Sequence, residues 1–562
     1  MNYISSKKVY ILVIFIILLS TIVRIYHIEG DAPVADISRS GVFYVDEGTY
    51  SHNTVNKILY GNWFLKYDYN PISNIPLYSF SQYLCLKLLG VSLPAVRMTS
   101  VIYSVFALFL LWFLARLNDP LVALLTIILG SCNYFFIIYN RLALIENLLI
   151  LFLIIESLLL YLYTDKKSIG WLIIAVIMFW IGYFIKPTVL FFMPLIILSI
   201  LYVTHGTRKI LLHLYIYFLF SSLILLTIYF TWVVPHYEDW HYFEGRNIHH
   251  YINESFLIFL LNYARYFTNL KLFQFMPVTY TLFLFYLTYI IYEVWLKKRL
   301  AFIDWFFASW ALGGFLFLGF FKYSPPRHSL ILIPAILIMC SSCIIRMYRG
   351  QFNFKDKNIF MLMIPTVVLI ICQIFFGIYR IHVYDQQYLS CFLPSVGILV
   401  IIVCISLYKR WLSNKVAAIL LLVSILGLNG YQLIDYHATM QFSYYDAIRD
   451  MARLIDAESD EQEHILLGDI APLVSIELQT RALSIIFKGD TELKRIISHC
   501  PNFLILQDNH ELKRLTQMLP TYFNNVELLS QYEIFNNYLN DDNTYFYRIN
   551  NEYITRRLWV KK

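Results

Sequence analysis

Apolar runs long enough to cross a lipid bilayer recur along this chain from Val9 to Ile434. A run of about 18 or more residues spans a hydrocarbon core of about 30 Å as a helix. Lipid offers no hydrogen bonds to the backbone, so each such run must satisfy its own amides and carbonyls. The runs are continuous rather than alternating, which excludes a membrane β-barrel. Composition agrees: 59% of the 562 residues are hydrophobic and only 14% are charged. The fold class expected is an all-α polytopic membrane protein.

The runs place helices near 9–28, 99–116, 121–140, 143–163, 170–185, 188–204, 210–234, 276–296, 304–321, 329–346, 358–379, 388–408 and 415–434, about thirteen spans. Pro187 lacks an amide hydrogen, so a break between 170–185 and 188–204 is expected. The net charge of +7 does not signify nucleic acid, because Lys and Arg gather in short clusters between the runs. Lys7-Lys8, Arg116, Lys166-Lys167, Arg208-Lys209, Lys297 to Arg299, Arg346 to Lys357 and Lys409 to Lys415 all fall on one side. Positive loops stay cytoplasmic, so loops 29–98, 235–275, 322–328 and 380–387 face outward, as does everything after 434. The N-terminal run has no small-residue cleavage site after it and reads as an uncleaved first helix. The location expected is the cell's inner or plasma membrane.

Two domains are expected, a membrane domain over 1–434 and an extracytoplasmic α/β domain over 435–562. After Asp435, HILLGD, LSIIF, FLILQ and VELLSQYEIF have the composition of short strands. APLVSIELQT, DTELKRIISHC and NHELKRLTQML between them carry helical periodicity. No catalytic motif is legible there. Loop 29–98 is too long for a plain linker, and Asn74 to Leu89 has the spacing of a helix lying at the interface. Most of the eight cysteines sit inside apolar runs, as ordinary buried thiols.

The candidate chemistry begins at Asp46-Glu47, in VFYVDEGTY at the head of the first outer loop. An acid pair just outside a membrane helix is ordinarily a solvated loop face. Here the context is apolar and aromatic, and cations from Lys57, Lys66, Arg97, Arg141, Lys186 and Arg327 share the outer side. A carboxylate can deprotonate a hydroxyl, and cations can stabilise a leaving phosphate. A lipid-linked phosphosugar offers both groups. Arg141 and Glu146, in the tight turn YNRLALIEN, lie at the membrane edge, where charge is costly. Lys186 and Arg327 stand at outer helix starts beside prolines. Loop 235–254 holds His249 and His250 among other histidines and acids. Such residues can bind a divalent cation, but their spacing matches no fixed pattern, and the chemistry requires no cofactor.

These motifs, VDEGTY at 45–50, GNWFLKYDYNP at 61–71, IPLYSF at 75–80, RLALIEN at 141–147, IKPTVLFFMPLIIL at 185–198 and PPRHSLILIPAILIM at 325–339, resemble those of GT-C glycosyltransferases. The likeness is to the protein O-mannosyltransferase and lipid A aminoarabinose transferase type and covers roughly residues 1–340. It implies a GT-C membrane enzyme whose outer-face site uses a polyprenyl-phosphate sugar donor. Carried over by motif, Asp46 is the catalytic base, with Glu47 and Glu146 as further catalytic carboxylates. Arg141, Lys186 and Arg327 then bind the donor phosphate. The acid and lysine that relatives carry before the paired prolines of the first loop are Ser73 and Asn74 here, with Ile75 for the first proline. Lys66 is the candidate to replace that lysine.

The function expected is inverting transfer of a sugar from a polyprenyl-phosphate donor to a hydroxyl or phosphate on a lipid, glycan or protein. A transporter or flippase is the alternative, but it calls for broken helices in matching halves, and no paired halves occur. A polysaccharide polymerase or ligase calls for an arginine-rich outer loop, whereas loop 235–254 holds only Arg246.

Overall fold

The computed structural model describes the chain except residues 1–5, 32–41, 66–67, 69, 73–74, 242–259, 261–270, 297, 299, 322–324, 353–366, 372–413, 441, 458–463, 469, 485–498, 500, 507–508, 519, 524–525, 534–542 and 550–562. Helix α1 (Ser6–Ile25) is followed by α2 (Val42–Tyr60), α3 (Phe80–Leu89), α4 (Leu93–Arg116), α5 (Pro120–Cys132), α6 (Tyr134–Asn140) and α7 (Ile145–Lys166). Then come α8 (Ile169–Tyr183), a 3₁₀ turn (Pro187–Phe192), α9 (Met193–Val203), α10 (Thr207–Ile228) and α11 (Pro277–Trp295). Helix α12 (Phe302–Gly319), a second 3₁₀ segment (Pro326–Leu332), α13 (Ile333–Tyr348) and α14 (Asn414–Ala438) complete the bundle. Among the described residues, eight helices are long and apolar enough to cross a membrane, and the bent pair α5–α6 makes a ninth. The spans expected at 358–379 and 388–408 fall almost wholly outside the described residues.

Local chemistry sets the helix ends. Ser92 caps α4 by accepting from the Ala95 amide, with a proline in the first turn. Asp119 caps α5 in the same way through Leu121 and Val122. The single span expected over 121–140 is instead broken at Asn133 and bent by 60°. Asn133 takes an extended backbone and caps α6 by accepting from the Phe136 amide at 2.8 Å. Asn429 of α14 accepts from the next amide, Tyr134 N, at 2.8 Å. The break is therefore held by a residue almost three hundred positions away.

The acid pair does not lie in a loop. Val42–Tyr60 is helical, despite its glycine, two threonines, three valines and two asparagines, which lower helix propensity. Tertiary packing on both sides supports it. His236, expected in a loop, lies within a helical stretch that runs from Thr207 to His241. Cys340 and Cys343 are buried free thiols, as expected.

After the bundle come α15 (Ser443–Ala457), β1 (Ile465–Gly468), α16 (Ala471–Leu478), β2 (Arg481–Leu483), β3 (Phe503–Leu506), α17 (Asn509–Met518), β4 (Val526–Glu533) and β5 (Asn543–Ile549). They build a five-stranded sheet in the order β2-β1-β3-β5-β4. Strands β1, β2 and β3 are parallel, and β5 runs antiparallel between β3 and β4. Strand β5 is not among the expected strands. One apolar core joins this domain to the bundle: Val55, Leu93, Val96 and Ala143 pack in the same cluster as Ile448, Met451, Leu473, Val474, Ile505 and Phe546.

Candidate active site

Four charged side chains from four separate segments meet at one end of the bundle. Glu146 stands in the first turn of α7, where the helix dipole favours a carboxylate. The turn before it is braced by Asn147, whose Nδ2 donates to the carbonyls of Tyr139 at 3.0 Å and Leu142 at 3.2 Å. Asn147 Oδ1 accepts from Asn140 Nδ2 at 2.7 Å. Lys186 is the extended residue before the 3₁₀ turn that Pro187 opens. Arg327 follows Pro325 and Pro326 into the second 3₁₀ segment. Prolines suit these starts, because a first-turn amide has no helical partner to lose. Asp46 comes from the first turns of α2.

The four alternate in charge. Lys186 Nζ donates to Glu146 Oε1 at 2.6 Å. Arg327 Nε lies 3.6 Å from the same oxygen, and Arg327 Nη1 lies 2.6 Å from Asp46 Oδ2. Exposure divides their roles: the side chains of Asp46 and Lys186 are 16% and 15% exposed, those of Arg327 and Glu146 only 6% and 1%. Asp46 and Lys186 are thus the members that incoming molecules reach most readily. Burial pushes the Asp46 carboxyl up to about 6; Arg327 and Lys186 oppose the shift, while Glu146 and Glu47 add to it. A carboxylate with that value is ionised at neutral pH and still basic enough to take a proton.

Of the other expected site residues, Glu47 and Arg141 lie elsewhere. Glu47, expected beside Asp46 as a catalytic carboxylate, faces the opposite way. It is buried, and its Oε1 and Oε2 accept from Arg97 Nε and Nη2 at 2.9 and 2.8 Å. Its Oε1 also accepts from the Ala143 amide at 2.8 Å. The reason is geometric, since successive helix residues point about 100° apart. Arg141, expected at the donor phosphate, instead sends its guanidinium to the carbonyls that end α1: those of Val23 at 3.2 Å, Tyr26 at 2.6 Å and His27. It also lies over the Tyr436 ring. A cation at a helix C-terminus satisfies orphan carbonyls and the dipole, so Arg141 ties α1 to the α6–α7 turn. Glu146, expected among the catalytic carboxylates, is buried and holds Lys186. Lys66, His249 and His250 lie outside the described residues, as do Ser73 and Asn74. Among the described residues, no three of His, Cys, Asp and Glu come together as a metal set.

One polar group at this end is not singled out by any sequence signal. His52 Nε2 pairs with Asp68 Oδ2 inside the protein, and Asn56 Nδ2 lies 3.2 Å from the same ring nitrogen. Asp68 Oδ1 accepts from the Ser484 amide of the C-terminal domain at 3.0 Å. Only the fold brings these residues together.

Residues 71–234 match the family model described as dolichyl-phosphate-mannose-protein mannosyltransferase. That segment holds Arg141, Glu146 and Lys186 and excludes Asp46, Glu47 and Arg327. No curated protein matches the sequence. Among solved structures, ArnT from Cupriavidus metallidurans bound to undecaprenyl phosphate aligns with a TM-score of 0.55 at 12% identity, over 97% of this chain and 98% of that one. The apo oligosaccharyltransferase of Archaeoglobus fulgidus aligns with a TM-score of 0.55 at 10% identity, over 92% of this chain and 72% of that one. The oligosaccharyltransferase AglB of the same organism, in complex with an inhibitory peptide and a dolichol-phosphate, aligns at 0.53 and 10% identity, over 92% and 71%. The chain has the fold of the GT-C glycosyltransferases, as its motifs led us to expect.

Proposed function

We propose that the chain is an integral membrane glycosyltransferase that moves a sugar from a polyprenyl-phosphate donor to an acceptor hydroxyl at the outer face of the membrane. The observation that carries this reading is the alternating set Asp46, Arg327, Glu146 and Lys186 at one end of a GT-C bundle. The ArnT structure contains undecaprenyl phosphate and the AglB structure a dolichol-phosphate, which supports a donor of that class here. The side on which the lysines and arginines gather supports the outer placement.

Asp46 accepts the proton of the acceptor hydroxyl. The acceptor oxygen attacks the anomeric carbon as the bond from that carbon to the phosphate oxygen breaks, and the electron pair leaves on polyprenyl phosphate. In-line displacement inverts the anomeric centre. Polyprenyl phosphate is a good leaving group, so no general acid is needed. Lys186 and Arg327 stabilise the charge developing on the leaving phosphate. Glu146 positions both cations, balancing them until the donor arrives. Lys186, partly exposed on a flexible stem, turns from Glu146 to the phosphate.

The test incubates purified protein with a panel of polyprenyl-phosphate sugars and measures polyprenyl phosphate released in the presence of acceptor. A positioned base contributes roughly 10²–10⁴-fold, so Asp46→Asn should leave a folded protein whose transfer falls by at least that lower bound. Near wild-type transfer by this variant would remove Asp46 from the mechanism.

A further inference from the structure

The C-terminal domain touches the helix that carries Asp46 at its backbone. A Cβ built on Gly48 would lie 2.7 Å from Leu473 N, 2.8 Å from Leu473 Cβ and 3.0 Å from Leu473 Cα. Two of those three atoms are main chain, which cannot swing aside, so α2 and α16 approach this closely only because residue 48 is glycine. Gly48 is two residues from Asp46 and next to Glu47.

Two further contacts from the same domain reach the same assembly. Glu477, at the end of α16, accepts from the Leu93 amide at 2.6 Å through Oε1. That anchors the start of α4, which one turn later carries Arg97, the partner of Glu47. The Ser484 amide donates to Asp68, whose other carboxylate oxygen pairs with His52 of α2. Gly48 and His52 are four residues apart and so lie on one face of α2. About 160° around the helix from Gly48 is Asp46. The bundle holds the helix through Glu47 and Arg97, and the C-terminal domain holds its back.

We infer that the contact of Leu473 with Gly48 is a positioning contact, through which the C-terminal domain sets the reach of Asp46. The domain is then a working part of the site rather than an appendage, and Leu473 and Glu477 act through α2 and α4 without touching the reacting atoms. The kinetic part of this inference rests on the transferase reading; the mechanical part does not.

Gly48→Ala tests it. The added methyl must push α2 from α16 by several tenths of an ångström, and a misplacement of about 1 Å at a reacting group can cost roughly 10²-fold. Glu477→Ala is the milder second variant, in case Gly48→Ala does not fold. Expected for Gly48→Ala are a kcat reduced tenfold to a hundredfold with donor KM within twofold, and amide exchange at least tenfold faster in 42–60 with 145–166 unchanged. For Glu477→Ala the same pattern is expected at three- to tenfold. A general structural weakening would raise exchange in both segments and overturn the inference. So would wild-type kcat in a folded Gly48→Ala protein, or unchanged exchange in 42–60. If exchange rises selectively but the wild-type protein transfers no sugar, the positioning contact stands and the transferase reading falls.

Discussion

Removing Glu47 should unfold the site rather than silence it, although its neighbour Asp46 is the proposed base. Arg97 is buried, with Nη1 donating to the carbonyls of Ile28 at 2.9 Å and Gly30 at 3.0 Å. Its Nε and Nη2 depend on the Glu47 carboxylate. Glu47→Ala strands that charge and takes the acceptor from the Ala143 amide. Breaking a buried ion pair from one side costs about 3–5 kcal/mol, and an orphaned buried amide about 1–3 kcal/mol more. The two losses share one site and do not simply add, so a cost on the order of 4–6 kcal/mol is expected. Glu47→Gln keeps an acceptor for Ala143 and should lose roughly half as much. The double variant Glu47→Leu with Arg97→Met removes both charges and should be less destabilised than the two single variants summed. Thermal unfolding in one detergent, at fixed protein concentration, reads all five against Asp46→Asn. If Glu47→Ala melts with the wild type and yet transfers no sugar, the reasoning fails and Glu47 belongs to the chemistry.

Asp46 gives a pH dependence with a definite sign. Its carboxyl moves from 3.8 up to about 6, so transfer should fall about tenfold per unit below pH 6 and reach roughly one tenth of its plateau near pH 5. Because the folded chain holds that proton more tightly than the unfolded chain, stability is lost as pH rises between about 4 and 6. Asp46→Asn removes the penalty and should melt no lower than the wild type at pH 7.5, which a melting series across that window checks. Arg141→Gln should lower stability by about 1.5–3 kcal/mol, the loss of charge-assisted hydrogen bonds, while donor KM stays within twofold; a large rise in KM would return Arg141 to the phosphate. Lys186→Met should raise donor KM and cut kcat together, read by steady-state kinetics on a polyprenyl-phosphate sugar, and unchanged kinetics would remove it from the site.

The bundle was legible because lipid leaves the sequence few options: a continuous apolar run can only be a helix. The break at Asn133 was not, since its partner Asn429 is brought there by the fold. The same distinction runs through the site. Asp46 is legible as an acid in an apolar, aromatic context, and Lys186 and Arg327 as cations beside prolines that start helices. Which charge meets which is not legible, because Asp46 and Glu47 are neighbours in sequence but not on a helix surface. Treating 29–98 as a loop conceals that divergence. Arg141 and Glu146 mislead in the same way: one short turn holds both, yet it aims them at α1 and at Lys186. Strand β5 is hidden by its polar flanks and by pairing that needs β3 and β4 in place.

The core shared by Val55, Leu93 and Val96 with Leu473, Ile505 and Phe546 has a consequence in time. A ribosome makes Asp46 five hundred residues before Phe546. The helix bearing Asp46 is weak in intrinsic propensity, and the surface supporting its back is not finished until β5 has been made. Such long-range contacts form slowly, so α2 waits without its full support until Phe546 is made. A chain interrupted between Arg327 and β5 would carry every charged group of the site and still lack the finished support beneath it. Synthesis through β5 is thus expected to precede activity, an order set by the arrangement of the parts.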